Sequence, residues 1–196
     1  MEEKFSRKYD RILEIIGDVA KCTENKLILV GGTALALFYL KHRVSIDLDF
    51  VPIAGDEEKH KQTIKGCLTK KGYRTATASY KNQFVIQFDD TTIKLEIFYP
   101  KHKIEKIETF DASGMPLSVA SLNDLFKMKI EAYSARKSVR DLFDIVFILK
   151  NKEGGYSYLK EIITKYGMPE NQDEIKNYIL TEKDYEFFKE VVDNAL

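Results

Sequence analysis

Seven residues, VSIDLDF at positions 44–50, constrain this 196-residue chain more than any other stretch. Their apolar members read as a central β-strand, yet the run carries Asp47 and Asp49. A carboxylate buried without a partner costs on the order of several kcal/mol, so this strand joins a sheet only if something neutralises the acidic side. Residues i and i+2 of a strand share a face. Asp47 and Asp49 therefore present two carboxylates about 7 Å apart, while Ile46, Leu48 and Phe50 point the other way. Such an oxygen-rich pair is a template for Mg²⁺, which is usually shared between one or two protein carboxylates and the phosphates of a substrate. A later segment, TIKLEIF, also alternates, with Lys94, Glu96 and Phe98 on one side. If the two strands are neighbours, Glu96 becomes a third carboxylate and a further candidate metal ligand.

Just upstream, KLILV reads as a short buried strand ended by Gly31 and Gly32. Thr33 is placed to cap a helix over ALALFYLKH. A turn from strand into helix gathers free backbone N–H groups at one spot, and such a spot binds phosphate. The two glycines let the backbone approach a triphosphate closely, and Thr33 or Ser45 can add a hydroxyl contact. Glycine pairs are common turns. A glycine pair followed fourteen residues after Thr33 by the first of two alternating aspartates is a far more specific pattern.

Downstream, the helical stretch 122–133 carries an apolar stripe of Leu122, Leu125, Phe126 and Tyr133, with Lys129 in its middle. A lysine there is either paired or functional. The next helix is apolar nearly all round, through Val139, Leu142, Phe143, Ile145, Val146 and Leu149, except for a notch of Arg140, Asp141 and Asp144. These positions suggest that Lys129 meets a phosphate-bearing ligand while Asp141 or Asp144 positions Lys129 or Arg43. The competing reading is a set of structural salt bridges from these aspartates to Arg136 and Arg140. His42, His60 and His102 read as surface residues without a catalytic role.

Around these motifs the first half of the chain alternates helix and strand, starting with a helix over Ser6–Lys21 that places Ile12, Leu13, Ile16, Val19 and Ala20 on one face. Strand-like segments TATASYK, NQFVIQF and TIKLEIF follow a charged helix that closes at Gly72, and from Ser121 onward the pattern is helical. This gives an α/β (α+β) fold: a mixed sheet flanked by helices over residues 1–115, then a helical bundle over 116–196. The 31 basic residues balance the 31 acidic ones, so net charge predicts no general affinity for polyanions. Cys22 and Cys67 have no CxxC spacing and suggest neither a zinc site nor a disulfide framework, so a reducing, cytoplasmic setting fits. No apolar run is long enough for a membrane span or a signal peptide.

The segments LVGGTALALFYLKHRVSIDLDF and SLNDLFKMKIEAYSARKSVRDLFDI, in that order, resemble the nucleotidyltransferase superfamily, and within it the AbiEii/AbiGii-type toxin nucleotidyltransferases. The resemblance spans about Lys26 to Lys150. It implies a nucleotidyltransferase core followed by a helical bundle, with Mg²⁺ and a nucleoside triphosphate (NTP) as cofactor and substrate. Members act as toxins of abortive-infection or toxin–antitoxin systems, some transferring nucleotides to tRNA 3′ ends, which implies RNA as acceptor and a cognate antitoxin as partner. On the matching positions, Asp47 and Asp49 would bind metal, with Gly31, Gly32, Thr33, Arg43 and Ser45 near the triphosphate. Lys129 would be the lysine of the third motif, and Asp141 and Asp144 the acidic pair of the fourth. The family more usually has aspartate where this chain has Glu96. Two other readings stay open: a nucleotide- or RNA-binding module without turnover, and transfer to a protein or small molecule. The filled positions Asp47, Asp49, Lys129, Asp141 and Asp144 weigh against loss of turnover.

Overall fold

The computed structural model describes residues 3–195; Leu196, to which the sequence pattern extends the last helix, lies outside them. Helix α1 (Glu3–Thr23) buries Ile12, Ile15, Ile16, Val19 and Ala20, one stripe at helical spacing. Leu13, expected on that stripe, is 45% exposed, and Ile15 takes its place. Strand β1 (Leu27–Val30) is buried throughout and runs directly into α2 (Gly31–Ala34), which widens into a π turn over Leu35–Tyr39. Thr33 does not cap this helix. The helix starts two residues earlier, after Val30, and the Thr33 hydroxyl instead donates to the Asp47 carbonyl, tying α2 to the strand it faces.

Strand β2 (Asp47–Pro52) is followed by α3 (Glu57–Lys70), whose first turn is capped by Asp56 accepting from the Lys59 amide at 2.9 Å. Strands β3 (Arg74–Thr77), β4 (Gln83–Gln87) and β5 (Thr92–Ile97) then form an antiparallel run. Next comes a hairpin that the hydropathy pattern did not reveal: β6 (Ile107–Ala112) and β7 (Met115–Ala120). Ser113 and Gly114 between them both have positive φ, the geometry of a two-residue hairpin turn.

All seven strands make one mixed sheet in the order β3-β4-β5-β2-β1-β7-β6, parallel at β2/β5 and β1/β7 and antiparallel elsewhere. Because β7 pairs with β1, the sheet continues to Ala120, and the helices follow from Ser121, the N-cap of the next helix, as the helical pattern expects. Helices α1 and α3 pack together on the sheet, and here the cysteine expectation fails: Cys22 at the end of α1 and Cys67 on α3 form a disulfide. Two cysteines 45 residues apart signal nothing by spacing; only the side-by-side packing of their helices brings their Cα atoms to 5.7 Å.

The C-terminal part comprises α4 (Leu122–Arg136), α5 (Val139–Leu149), α6 (Gly155–Tyr166), a 3₁₀ segment over Gln172–Asn177 and α7 (Glu182–Ala195). Ser121 caps α4, and α5 is buried nearly all round, as its composition requires. Phe143 of α5 packs on Phe188 of α7, and the core is continuous from the sheet into these helices. Among the described residues no helix is long and apolar enough to cross a membrane.

Candidate active site

Strand register settles which side chains share a face. Asp47 lies opposite Lys94 and Asp49 opposite Glu96 on the parallel β2/β5 pair, so two aspartates, a lysine and a glutamate stand together. Leu48, Phe50, Leu95 and Ile97 fill the core on the other side with no exposure. The Lys94 ammonium is 3.6 Å from Asp47 Oδ2 and 3.9 Å from Glu96 Oε2, reaching both loosely. Glu96 accepts from the Asn82 amide at 3.0 Å and the Gln83 amide at 2.9 Å, which fixes its carboxylate. Asp49 is the group under most electrostatic pressure. Burial, then the negative charge of Asp47, pushes its pKa up to about 6.

Gly31 and Gly32 close against this face. Gly31 has φ +73°, and a Cβ there would lie 2.5 Å from Asp49 Oδ2, so backbone and space both demand glycine. A Cβ on Gly32 would meet Arg43 Nη2 at 2.5 Å and Ser45 Oγ at 2.9 Å. The first turn of α2 receives no side-chain cap, so the backbone approaches the aspartates unshielded.

Behind the carboxylates lies a buried charge ladder. Asp144, fully buried on α5, accepts from Arg43 Nε at 2.6 Å and Nη2 at 2.7 Å, is bonded to His42 Nε2 at 2.7 Å, and is 2.7 Å from Lys129 Nζ. Burial opposes its ionisation, but the charges of Arg43 and Lys129 and the hydrogen bonds from His42 and Arg43 hold its carboxyl well below the usual range. Asp141, one turn earlier, accepts from Lys129 at 3.0 Å and from Arg136 at 2.7 and 2.9 Å. Lys129 is thus clamped between two carboxylates. His42, expected on the surface, is 1% exposed and stacks on Phe143; burial lowers its pKa against the pull of Asp144.

A cavity of about 510 Å³ brings most of these residues together: Gly31, Gly32, Arg43, Ser45, Asp47, Asp49, Glu96, Lys129 and Asp141 all line it. Thr33 and Asp144 are not in its wall; they hold wall residues from behind. Arg136, Arg140 and Tyr178, which no sequence motif marks as site residues, also line it. Tyr178 arrives through a bridge between Arg43 and Ile179, with the Val44 amide donating to the Tyr178 carbonyl at 2.7 Å. No local signal marks such a residue.

The donor set suits a hard divalent cation. Among the described residues no group of three or more His, Cys, Asp or Glu is disposed to cage a metal by itself. The donors offered are Asp47 and Asp49, a pair whose negative charges already oppose one another. Asp47 and Asp49 would hold such a cation, and its charge would relieve their repulsion.

The sequence profile of the nucleotidyl transferase AbiEii toxins of type IV toxin–antitoxin systems matches residues 21–192. No curated protein matches the chain significantly. Among solved structures, a candidate nucleotidyltransferase from H. pylori superposes with a TM-score of 0.64 at 21% identity, covering 100% of this chain and 94% of its own. JHP933 from Helicobacter pylori gives 0.63 at 20% identity, covering 100% and 91%. MenT4, a nucleotidyltransferase toxin from Mycobacterium tuberculosis, gives 0.52 at 17% identity, covering 77% and 62%. These likenesses establish the nucleotidyltransferase fold, and with the profile match over most of its length this chain belongs to the AbiEii family of nucleotidyltransferase toxins.

Proposed function

We propose that the cavity binds an NTP with Mg²⁺ and transfers its nucleotide to a hydroxyl of RNA, in the first place a tRNA 3′ end. The observation that carries this reading is the pairing of Asp47 and Asp49 against Gly31: two like charges on one strand face, one of them with its pKa raised to about 6, beside a glycine backbone that lines the same cavity. Asp47 and Asp49 would hold Mg²⁺, with Glu96 beside them held by Asn82 and Gln83. When bound, the ion supplies positive charge at the reacting phosphate.

The chain's own residues do the remaining work by position and electrostatics. Gly31 and Gly32 admit the triphosphate, Ser45 offers a hydroxyl beside Gly32, and Lys129 and Arg43 present cationic donors fixed by Asp141 and Asp144. The acceptor oxygen attacks the α-phosphorus, the bond to the leaving pyrophosphate breaks, and the hydroxyl proton leaves toward the acidic face. No covalent enzyme intermediate is needed.

RNA as acceptor is supported by the family's toxin activity and by Lys101 in the cavity wall. A cognate antitoxin as partner and a cytoplasmic setting belong to the same proposal; the family's type IV toxin–antitoxin systems support the first. Incubating the protein with total RNA, Mg²⁺ and each α-³²P-labelled NTP in turn tests the reading. It expects label in a small-RNA band from a preferred NTP. Label on polypeptide, or none with RNA under any NTP, rejects RNA as the acceptor.

A further inference from the structure

The cations lining the cavity are not equivalent. Arg43, Lys129 and Arg136 are spent on Asp144 and Asp141, and Lys94 stands between Asp47 and Glu96. Arg140 alone among the lining arginines has no carboxylate partner within the described residues, and its Nε is a buried donor without an acceptor. Buried charged donors are almost always satisfied, so an orphan in a cavity wall marks a place where a ligand supplies the acceptor.

The side chain is also held in place. Its guanidinium lies 5.1 Å from the centre of the Tyr178 ring, a cation–π contact. Tyr178 is 7% exposed, packs on Phe5 with centroids 4.5 Å apart, and its carbonyl is bonded to Val44, two residues before Ile46 and one after Arg43. Arg140 is thereby fixed on the wall that carries Arg43 and Ser45, the neighbours of Gly32.

We propose that Arg140 is a phosphate-binding residue of this site, that its ligand is the triphosphate chain of the NTP, and that Tyr178 is its positioning residue. This rests on the nucleotidyltransfer reading above and adds to it a lining arginine left free to meet the substrate. Arg43, Lys129 and Arg136 have their charge balanced inside the protein. Arg140 does not, and a guanidinium fork matches phosphate oxygens where an ammonium does not.

The test uses the whole chain and inorganic tripolyphosphate, titrated calorimetrically without metal, beside a nucleoside monophosphate. Arg140→Ala should weaken tripolyphosphate binding about tenfold to a hundredfold and leave the monophosphate unchanged. Tyr178→Leu should weaken it several-fold, whereas Tyr178→Phe, which keeps the ring, should bind as wild type. Arg140→Lys keeps the charge without the fork, should fall between, and serves if the alanine variant does not fold. In turnover, Arg140→Lys should raise KM for the NTP and not for RNA.

Unchanged tripolyphosphate affinity in a folded Arg140→Ala protein overturns the inference and leaves the nucleotidyltransfer reading standing. A raised KM for RNA alone moves the phosphate to the acceptor and overturns the triphosphate assignment. A wild-type protein that binds neither tripolyphosphate nor any NTP overturns both.

Discussion

Two acidic pairs sit within one fold, and they are solved in opposite ways. Asp141 and Asp144 on α5 are fully buried and saturated: between them they hold Arg43, His42, Lys129 and Arg136. Asp47 and Asp49 on β2 line an open cavity with a single loosely placed lysine nearby, and Asp49 is pushed up to about 6 rather than down. The same residue type is locked into ion pairs where the chain supplies the counter-charge and left open to a ligand where it withholds it. The first pair fixes the positions of cations; the second leaves a charge for a ligand to complete.

That contrast can be broken from either end. The largest effect falls on chemistry: Asp47→Asn or Asp49→Asn should lower nucleotide transfer about a thousandfold or more while leaving the melting temperature unchanged or higher, since a like-charge repulsion is removed. Activity and thermal melts on the same preparation check both halves. Asp144→Ala should do the reverse in emphasis. It leaves Arg43 and Lys129 buried without their partner, so denaturant unfolding should show a loss of about 3–5 kcal/mol.

Between these extremes, Gly31→Ala tests whether the close approach to Asp49 is needed. Its positive φ and the clash with Asp49 Oδ2 predict a loss of about 1–3 kcal/mol together with a clear fall in activity. An alanine variant with normal turnover would remove the tight turn from the account.

The smallest and most diagnostic effect is in pH. Asp144 has a folded pKa well below its ordinary value, so its contribution is complete above the unfolded carboxylate range near pH 4 and is lost as pH falls below it. His42, whose pKa is lowered, works in the same direction from about pH 6.5 downward, because the unfolded chain takes up a proton that the fold resists. Asp49, raised to about 6, works the other way between about pH 6 and 4, so the decline that reports Asp144 lies below about pH 4, and Asp144→Asn should flatten it. An unchanged slope would mean that Asp144 is not the coupled group.

Much of the carboxylate face was legible because its signal is local. Alternation over VSIDLDF places Asp47 and Asp49 on one side of their strand, alternation over TIKLEIF gives Glu96 a face on its own strand, and the glycine pair upstream marks a turn; that the two faces coincide comes from the β2/β5 pairing. Lys129, Asp141 and Asp144 were visible as polar positions on apolar helical faces. The structure gathers the two sets in one region, which periodicity cannot do. What stayed hidden is non-local. The β6–β7 hairpin is half exposed on β6, with Glu108 and Asp111 among its residues, so its apolar signal is weak. Thr33 looked like a cap because its acceptor, the Asp47 carbonyl, is fourteen residues away. His42, Tyr178 and the Cys22–Cys67 bond owe their places to chain segments that meet only when the sheet and helices pack.

The most direct test of the central claim is label transfer by the Asp47→Ala/Asp49→Ala double variant, folded by circular dichroism and compared with wild type in Mg²⁺, total RNA and the α-³²P-labelled NTPs. The account predicts RNA labelled by the wild type and none above background with the folded variant. A folded double variant that still labels RNA would show that the paired aspartates are not the reactive face, and the assignment of the site would fall with them.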